Sequence, residues 1–333
     1  MSPGVAPDPR IEPMSRTRKR LWLLAKTTAA VVLIAAVGRY FAKLLANDGA
    51  TESLLAARVE YLVPAGLLYL LAHTLWATFW VQLLWNSGAD VTWYAGVRAY
   101  FVSQFGKYVP GKAWVFFLRL GLLRHTGVSP TVVAVTATYE TLTSMAAGAT
   151  VGAVLLPWAG LGAEWESGKG VALLGIAGLP LVLGVLNRLA VRVASKHRGP
   201  DAKPLPSPPV RLLAQGLLQA MAGWACLGLS LWLTVQALAA EPGSLTVDEY
   251  LRDTAAVALA YVVGFMVLFA PGGLGARELL LQQILEQSAT PAHAAVIAVA
   301  LRLVWTAFEV VVAGILFWVS REAKPSADEN TNG

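Results

Sequence analysis

Three charged side chains lie within long apolar runs of this sequence and could do chemistry there: Glu140, Arg302 and Glu309. An ionised side chain near the centre of a bilayer costs about 2.5–3.5 kcal/mol on insertion scales, so such residues pair with one another and mark substrate or ion pathways. Arg302 and Glu309 are seven positions apart and therefore lie on roughly the same face of a helix. These residue types predict an intramembrane site that binds an anionic group together with a cation or a proton.

Two Pro-Gly pairs lie at corresponding places in two halves of the chain. The first is in QFGKYVPGKAWVFFLRL, residues 104–120, and the second is in FMVLFAPGGLGARELLL, residues 265–281. In each half, the next apolar run carries a glutamate directly after an aromatic residue, at Glu140 and at Glu309. Matching Gly/Pro-interrupted segments in two halves indicate the binding site of transporter-like folds.

An interrupted helix leaves backbone N–H and C=O groups that lipid cannot satisfy, so each break is expected inside the protein or beside a water-filled cavity. A helix that restarts after Pro-Gly also presents free N–H groups and a partial positive charge, which suit a phosphate. We therefore predict one polar cavity that suits a phosphate-bearing group. Its predicted residues are Lys107, Pro110, Gly111, Lys112, Glu140, Pro271, Gly272, Gly273, Gly275, Arg277, Glu278, Arg302 and Glu309.

Within this predicted cavity, Arg277, Arg302 and the helix N-termini are expected to hold the phosphate. Glu140, Glu278 or Glu309 is expected to hold a cation or a proton. At the helix start, a capping role explains Glu278 but leaves Arg277 without a structural explanation.

Structural roles stay open for the same residues. The Pro-Gly pairs could be kinks that serve packing, and Glu140 could make a structural hydrogen bond to a neighbouring helix. Arg302 and Glu309 could form an internal ion pair, and Lys107 and Lys112 could be interfacial lysines that reach the head groups.

Three further polar residues are expected to be structural. Arg119 and Arg124 are interpreted as charges at the cytoplasmic face, and His73 as a packed polar residue rather than a proton relay.

The composition indicates that the whole chain is a membrane protein. Apolar residues make up 56% of the 333 residues and charged residues 14%, compared with about 25% charged in an average soluble domain. Apolar runs near or above the roughly 18 residues needed to cross a bilayer recur along the chain. Several tryptophans lie near the ends of these runs, where aromatic belts form.

The sequence shows no metal, cofactor or catalytic motif, and we expect none of the three. The single cysteine, Cys226, excludes a disulfide within the chain, and the four histidines are scattered without metal-ligand spacing. No catalytic triad, zinc motif or nucleotide-binding loop is visible. The net charge of +6 comes from basic segments beside the apolar runs, which is a topology signal and not a nucleic-acid site.

The predicted fold is all-α: a polytopic transmembrane helical bundle of about eight spans, in two pseudo-repeat halves with Pro-Gly-interrupted helices. The predicted organisation has three parts: a disordered cytoplasmic N-terminus (1–20), one membrane domain (21–320) and a disordered tail (321–333). The halves of the membrane domain (21–190 and 211–320) are joined by a basic Pro-rich linker (191–210). Apolar runs that predict spans include 21–44, 61–85, 130–157, 170–189, 211–239 and 293–319.

The positive-inside rule places the N-terminus and the linker in the cytoplasm. The expected location is the plasma membrane. The C-terminus lies outside if residues 275–290 do not cross, and inside if they and the preceding run make two crossings; we favour inside.

The motifs also carry a family resemblance. QFGKYVPGKAW (104–114), the Tyr-Glu pair of the following run, PGGLGARE (271–278) and ALRL (300–303) resemble the membrane region of lysylphosphatidylglycerol synthases over about residues 20–320. The same region occurs alone in flippase-like membrane proteins. The resemblance implies movement of an aminoacylated lipid between leaflets. A separate soluble domain makes that lipid from aminoacyl-tRNA, and since this chain ends at 333, synthase activity is not expected.

The resemblance leaves the lipid class open, because related regions are also fused or adjacent to glycosyltransferases that act on polyprenyl-phosphate lipids. The favoured function is a flippase for a phospholipid, an aminoacyl-phospholipid or a polyprenyl-phosphate-linked lipid. One alternative is a non-catalytic membrane partner of a glycosyltransferase or lipid synthase. The other is a membrane-embedded lipid transferase. The expected partners are membrane lipids and, under the first alternative, such an enzyme.

Overall fold

The computed structural model describes residues 50–108, 113–159, 207–266 and 275–319. Within these ranges every regular element is helical, which confirms the all-α prediction. The α-helices are α1 (Ala50–Leu55), α2 (Val59–Asn86), α3 (Trp93–Ser103), α4 (Ala113–Leu123), α5 (Pro130–Val154), α6 (Val210–Leu238), α7 (Val247–Met266), α8 (Ala276–Leu285) and α9 (Pro291–Val319). Three 3₁₀ helices follow α3, α4 and α5, at Gln104–Tyr108, Arg124–Thr126 and Leu156–Ala159.

Three of the described helices, α2, α6 and α9, are long and apolar enough to cross a membrane. They correspond to the predicted spans 61–85, 211–239 and 293–319. The predicted spans 21–44 and 170–189 lie outside the described residues. The count of about eight spans and the two pseudo-repeat halves therefore stay predictions.

Helix α2 is the centre of the described bundle, because it packs against α3, α5, α6 and α9. Its contact with α6 is close because glycines on α6 face aromatic rings on α2. A Cβ at Gly216 would lie 2.0 Å from the Phe79 ring, and one at Gly223 would lie 2.3 Å from the Trp76 ring. Small residues at helix interfaces allow this close approach in membranes, where lipid is as apolar as leucine and van der Waals packing holds helices together.

Helices α3 and α4, which flank the first Pro-Gly segment in the sequence, pack against each other as a short hairpin. Thr92 caps α3 by accepting a hydrogen bond from the backbone N–H of Ala95 at 3.2 Å. The 3₁₀ helix after α3 lies against the start of α4, since a Cβ at Gly106 would be 2.6 Å from the backbone nitrogen of Val115. Each helix has 11 residues and is therefore about 16 Å long. Neither can cross a hydrocarbon core of about 30 Å alone.

Helix α8 begins at the second Gly-rich segment. It follows Gly275, whose φ of 92° is a conformation that residues with a Cβ rarely adopt. With 10 residues, α8 is about 15 Å long and too short to cross a bilayer by itself. It packs against α7 and α9, so the short helix is held between two longer ones.

Substitution of Gly148 by Ala is expected to destabilise the protein by about 1–3 kcal/mol through overpacking. A Cβ at Gly148 would lie 2.5 Å from the Trp224 ring. That ring is fully buried, and its Nε1–H donates to the carbonyl of Ser144 at 2.9 Å, so it has little room to move. Thermal unfolding in detergent, followed by near-ultraviolet circular dichroism, measures the change.

The matched control is Gly314→Ala, also within a long helix, where no atom lies within 4 Å of the added Cβ. It is expected to leave stability unchanged or to raise it by up to about 1 kcal/mol, because alanine favours the helix over glycine. Equal unfolding midpoints for the two variants would contradict the packing described for Gly148.

Candidate functional site

Three elements meet at the carboxylate of Glu309. The residue lies on α9 and is 1% exposed. The Lys107 ammonium, from the 3₁₀ helix after α3, forms an ion pair with its Oε2. The Tyr69 hydroxyl on α2 donates to the same oxygen at 2.7 Å. The other oxygen, Oε1, is buried and has no hydrogen-bond partner among the described residues.

Lys107 and Glu309 differ in their access to solvent. The Lys107 side chain is 23% exposed, whereas that of Glu309 is 2% exposed. The lysine therefore lies at the edge of the packed interior and the carboxylate lies within it. The α3–α4 hairpin is tied to α9 a second time, because Arg98 donates to the carbonyl oxygen of Leu316 at 2.8 Å.

A second buried ion pair joins α4 to α5. Nη1 of Arg119 lies 3.2 Å from Oε2 of Glu140, and the Tyr100 hydroxyl lies 3.5 Å from Oε1. The guanidinium also lies 4.4 Å from the centre of a Trp80 ring and 4.5 Å from the Tyr100 ring. Both carboxylate oxygens therefore have partners, and the cation contacts two aromatic rings as well as the carboxylate.

The position of Arg119 differs from the expectation that it is a charge at the cytoplasmic face. It is 2% exposed, because the hairpin turns α4 back towards the bundle and directs this residue at Glu140. Arg124, in the 3₁₀ helix that follows α4, is exposed.

Glu278 has two structural partners at the start of α8. Its Oε2 accepts a hydrogen bond from the backbone N–H of Gly275 at 2.8 Å, which confirms the expected capping role. Its Oε1 accepts from the guanidinium of Arg302 on α9. The same carboxylate thus caps α8 and fastens it to α9.

Arg277, which capping left unexplained, lies against two aromatic rings. Its guanidinium carbon is 4.3 Å from the centre of the Tyr261 ring on α7 and 5.0 Å from that of Trp305 on α9. Its Nε lies 4.0 Å from Oε1 of Glu278. Cation–π contacts of this kind stabilise a desolvated guanidinium by about 2 kcal/mol.

Arg302 and Glu309 do not pair with each other, so the alternative of an internal ion pair between them is wrong. They share α9, but Arg302 pairs with Glu278 and Glu309 pairs with Lys107. Each charge on α9 therefore binds a different short segment.

Aromatic side chains connect these charged groups through the interior. Ring centres are 5.1 Å apart for Tyr69 and Trp305, and 6.0 Å apart for Trp305 and Tyr261. In the other direction, the His73 ring lies 4.0 Å from that of Tyr69 and 6.4 Å from that of Tyr100. His73 is buried, and its Nδ1–H donates to the Tyr69 carbonyl at 3.0 Å, in keeping with a packed polar residue.

The structure brings part of the predicted site together. Lys107 contacts Glu309, and Glu278 contacts both Gly275 and Arg302. Arg277 and Glu140 lie at opposite ends of the row of aromatic rings that runs from Tyr261 to Tyr100. The remaining predicted residues lie outside the described ranges: Pro110, Gly111, Lys112, Pro271, Gly272 and Gly273.

Six side chains of the network were not predicted as site residues: Tyr69, Trp80, Tyr100, Arg119, Tyr261 and Trp305. A signal existed for Arg119, because it is the only charge in the apolar helix AWVFFLRLGLL, where a charge points to a functional or pairing role. The aromatic residues carry no such signal, since an aromatic residue in an apolar run is usual for a membrane helix.

A cavity of about 320 Å³ lies between the end of α2 and the start of α5. Its lining residues are Ser87, Gly88, Ala89, Asp90, Thr126, Gly127, Val128, Ser129 and Val132. None of the predicted head-group residues lines it, so this cavity does not support the predicted one.

Comparison with known protein families gives a match over most of the chain. The family model described as the lysylphosphatidylglycerol synthase TM region matches residues 23–314, a range that contains every predicted site residue. A search of curated proteins finds no match.

Removal of Arg119 alone is expected to destabilise the protein more than removal of the whole pair. Arg119→Gln leaves the Glu140 carboxylate buried without its cation, and breaking a buried pair in this way costs about 3–5 kcal/mol. The double variant Arg119→Gln, Glu140→Gln buries no charge and is expected to recover most of that loss. The unfolding midpoint in detergent measures both.

The exposed Arg124→Gln serves as the control for loss of a positive charge and is expected to unfold like the unaltered protein. A double variant no more stable than Arg119→Gln would show that the pair is not coupled as described.

Proposed function

Because the chain belongs to the family of the lysylphosphatidylglycerol synthase TM region, we propose that it is a flippase for lipids with a phosphate-bearing head group. Family membership makes it a membrane protein tied to lipid metabolism. The lipid classes that fit the proposal are phospholipids, aminoacyl-phospholipids and polyprenyl-phosphate-linked lipids. The acyl or prenyl chains stay in the bilayer while the head group passes through the polar interior.

The observation that carries the proposal is the ion pair between Lys107 and Glu309. It joins the turn of a short hairpin to a long helix, and one oxygen of the buried carboxylate has no partner among the described residues. A pair that serves only packing is expected to satisfy both oxygens, as at Glu140. An incompletely satisfied pair at the edge of the interior is suited to exchange partners with a head group.

The balance of buried charge favours an anionic head group. Around the row of rings that runs from Tyr100 to Tyr261, four cationic side chains lie among three carboxylates. This leaves one surplus positive charge. The cations are Lys107, Arg119, Arg277 and Arg302, and the carboxylates are Glu140, Glu278 and Glu309. A phosphate monoanion in this network would neutralise the surplus, and lysine and arginine are the usual phosphate-binding side chains.

The outer faces of the long helices suit contact with lipid chains. Large apolar side chains on α2 and α9 are more than 40% exposed, among them Leu67, Leu71, Val311 and Ile315. The polar groups lie inside the bundle and the apolar groups lie on its surface. The head group of a lipid would therefore contact the polar interior while its chains contact the apolar surface.

The proposal includes the predicted placement in the membrane. The protein is a multi-pass protein of the plasma membrane with about eight spans, two related halves, and its N-terminus and C-terminus in the cytoplasm. The basic segments beside the apolar runs support this orientation.

Neutralising Lys107 or Arg302 is expected to slow lipid transport at least about ten-fold, since a hydrogen bond to a charged group contributes about 1.5–3 kcal/mol. Lipids that co-purify with the protein in mild detergent are first identified by mass spectrometry. A fluorescent analogue of the enriched class is then reconstituted with the protein in vesicles, and its appearance in the outer leaflet is followed by quenching with dithionite.

Lys107→Gln and Arg302→Gln are compared with the exposed control Arg124→Gln, and size-exclusion profiles verify folding. Transport that is equal in all folded variants would contradict the proposed head-group site. If only bulk lipid co-purifies and one enzyme is recovered in stoichiometric amount, the protein is instead a partner of that enzyme.

A further inference from the structure

We propose that Glu309 is a proton-binding site that couples proton uptake to the binding of an anionic head group at Lys107. This inference rests on the proposed function and adds the coupling ion to it. When the phosphate binds Lys107, Glu309 takes up one proton from a hydronium ion or a buffer acid in the solvent, which is left as water or as the buffer base, and an O–H bond forms on Oε1. The ion pair is thereby replaced by a lysine–phosphate pair and a neutral carboxylic acid.

The need for a proton follows from the local charge balance. In the unliganded protein the Lys107 ammonium neutralises the Glu309 carboxylate. A phosphate monoanion at the same ammonium would place two negative charges around one positive charge beside a packed interior, where like charges repel strongly. Protonation of Glu309 removes one of them, and the net charge of the three groups returns to zero.

The oxygen that would take the proton is Oε1. Oε2 already accepts from Lys107 and from the Tyr69 hydroxyl, whereas Oε1 is buried without a partner among the described residues. The Lys107 side chain on the other oxygen is partly exposed, so the carboxylate lies one side chain away from the surface.

Several ionisable groups face Glu309 from neighbouring elements, including Tyr100 on α3. Lys107 approaches from the 3₁₀ helix after α3, and Tyr69 and His73 approach from α2. Arg277 lies beyond them on α8, but its charge is shared with Glu278 and two aromatic rings. Lys107 is therefore the cation on which the ionised state of Glu309 depends.

Other buried carboxylates suit this role less well. Glu140 has both oxygens occupied, and Glu278 accepts from Gly275 and Arg302. Asp253 on α7 also has one buried oxygen, Oδ2, without a partner among the described residues. It pairs with the neighbouring Arg252 and belongs to neither Pro-Gly segment, which makes it a matched control.

The test measures protons taken up when a short-chain phosphatidylglycerol, the dihexanoyl form, binds the purified full-length protein in detergent. Isothermal titration calorimetry in two buffers with different ionisation enthalpies gives the number of protons per bound lipid. We expect uptake approaching one proton at a pH where Glu309 is ionised before binding. By linkage, the affinity should then rise up to ten-fold per unit decrease in pH.

Glu309→Gln keeps the shape of the side chain but cannot ionise. It should bind the lipid without proton uptake, and its affinity should be independent of pH. Asp253→Asn should bind with the same proton uptake as the unaltered protein. Tyr69→Phe removes a donor to the carboxylate and should shift the pH of half-maximal uptake upwards, which provides a second readout if Glu309→Gln does not fold.

The outcomes separate this inference from the proposed function. Binding without proton uptake in the unaltered protein would overturn the inference and leave the flippase proposal standing. Uptake that persists in Glu309→Gln, or disappears in Asp253→Asn, would place the proton elsewhere and also overturn it. Absence of any binding would count against the anionic head group itself and so against both.

Discussion

A carboxylate in an apolar interior must be neutralised, and in this protein the carboxylate of Glu309 determines where several elements lie. It holds Lys107 from the α3–α4 hairpin and Tyr69 from the central helix α2. Without these partners, a buried charge would have to move to water or take up a proton. The ion pair thus fastens a short hairpin, which cannot cross the bilayer alone, to two helices that are long enough to cross.

The same requirement is met differently at the other buried carboxylates. Glu140 pairs with Arg119, whose guanidinium contacts two aromatic rings, and this pair stabilises the packing of the hairpin on α5. Glu278 caps one helix and binds Arg302 on the next. Among the described residues, Glu309 and Asp253 each combine an unsatisfied oxygen with a partly exposed cation, but only the pair at Glu309 joins the α3–α4 hairpin to a membrane-length helix. The proposed exchange with a lipid phosphate follows from this difference.

Family membership indicates the general setting of the protein, whereas the arrangement of its charges supports a particular function. The match over residues 23–314 assigns the chain to a membrane family of lipid metabolism, but a fold by itself does not determine a function. The proposed head-group transport depends on particular side chains in and beside short helices. Irregular backbone and buried charge at membrane depth are tolerated where protein or water satisfies them, and a transported head group needs the same surroundings.

The sequence alone determined the all-α class, the membrane setting and the family, because apolar run length and the Pro-Gly motifs are local patterns along the chain. It also indicated Glu140, Arg302 and Glu309 as buried charges that need partners. The ion-pair partners of these charges follow from the packing of the helices and not from the sequence pattern. They are Arg119 for Glu140, Glu278 for Arg302 and Lys107 for Glu309. The two residues of that last pair are 202 positions apart. The hydrophobic periodicity of a sequence indicates which face of a helix a residue occupies. The ion-pair partner of a charge depends instead on how the helices pack. That packing depends on contacts such as those between glycines of α6 and aromatic rings of α2.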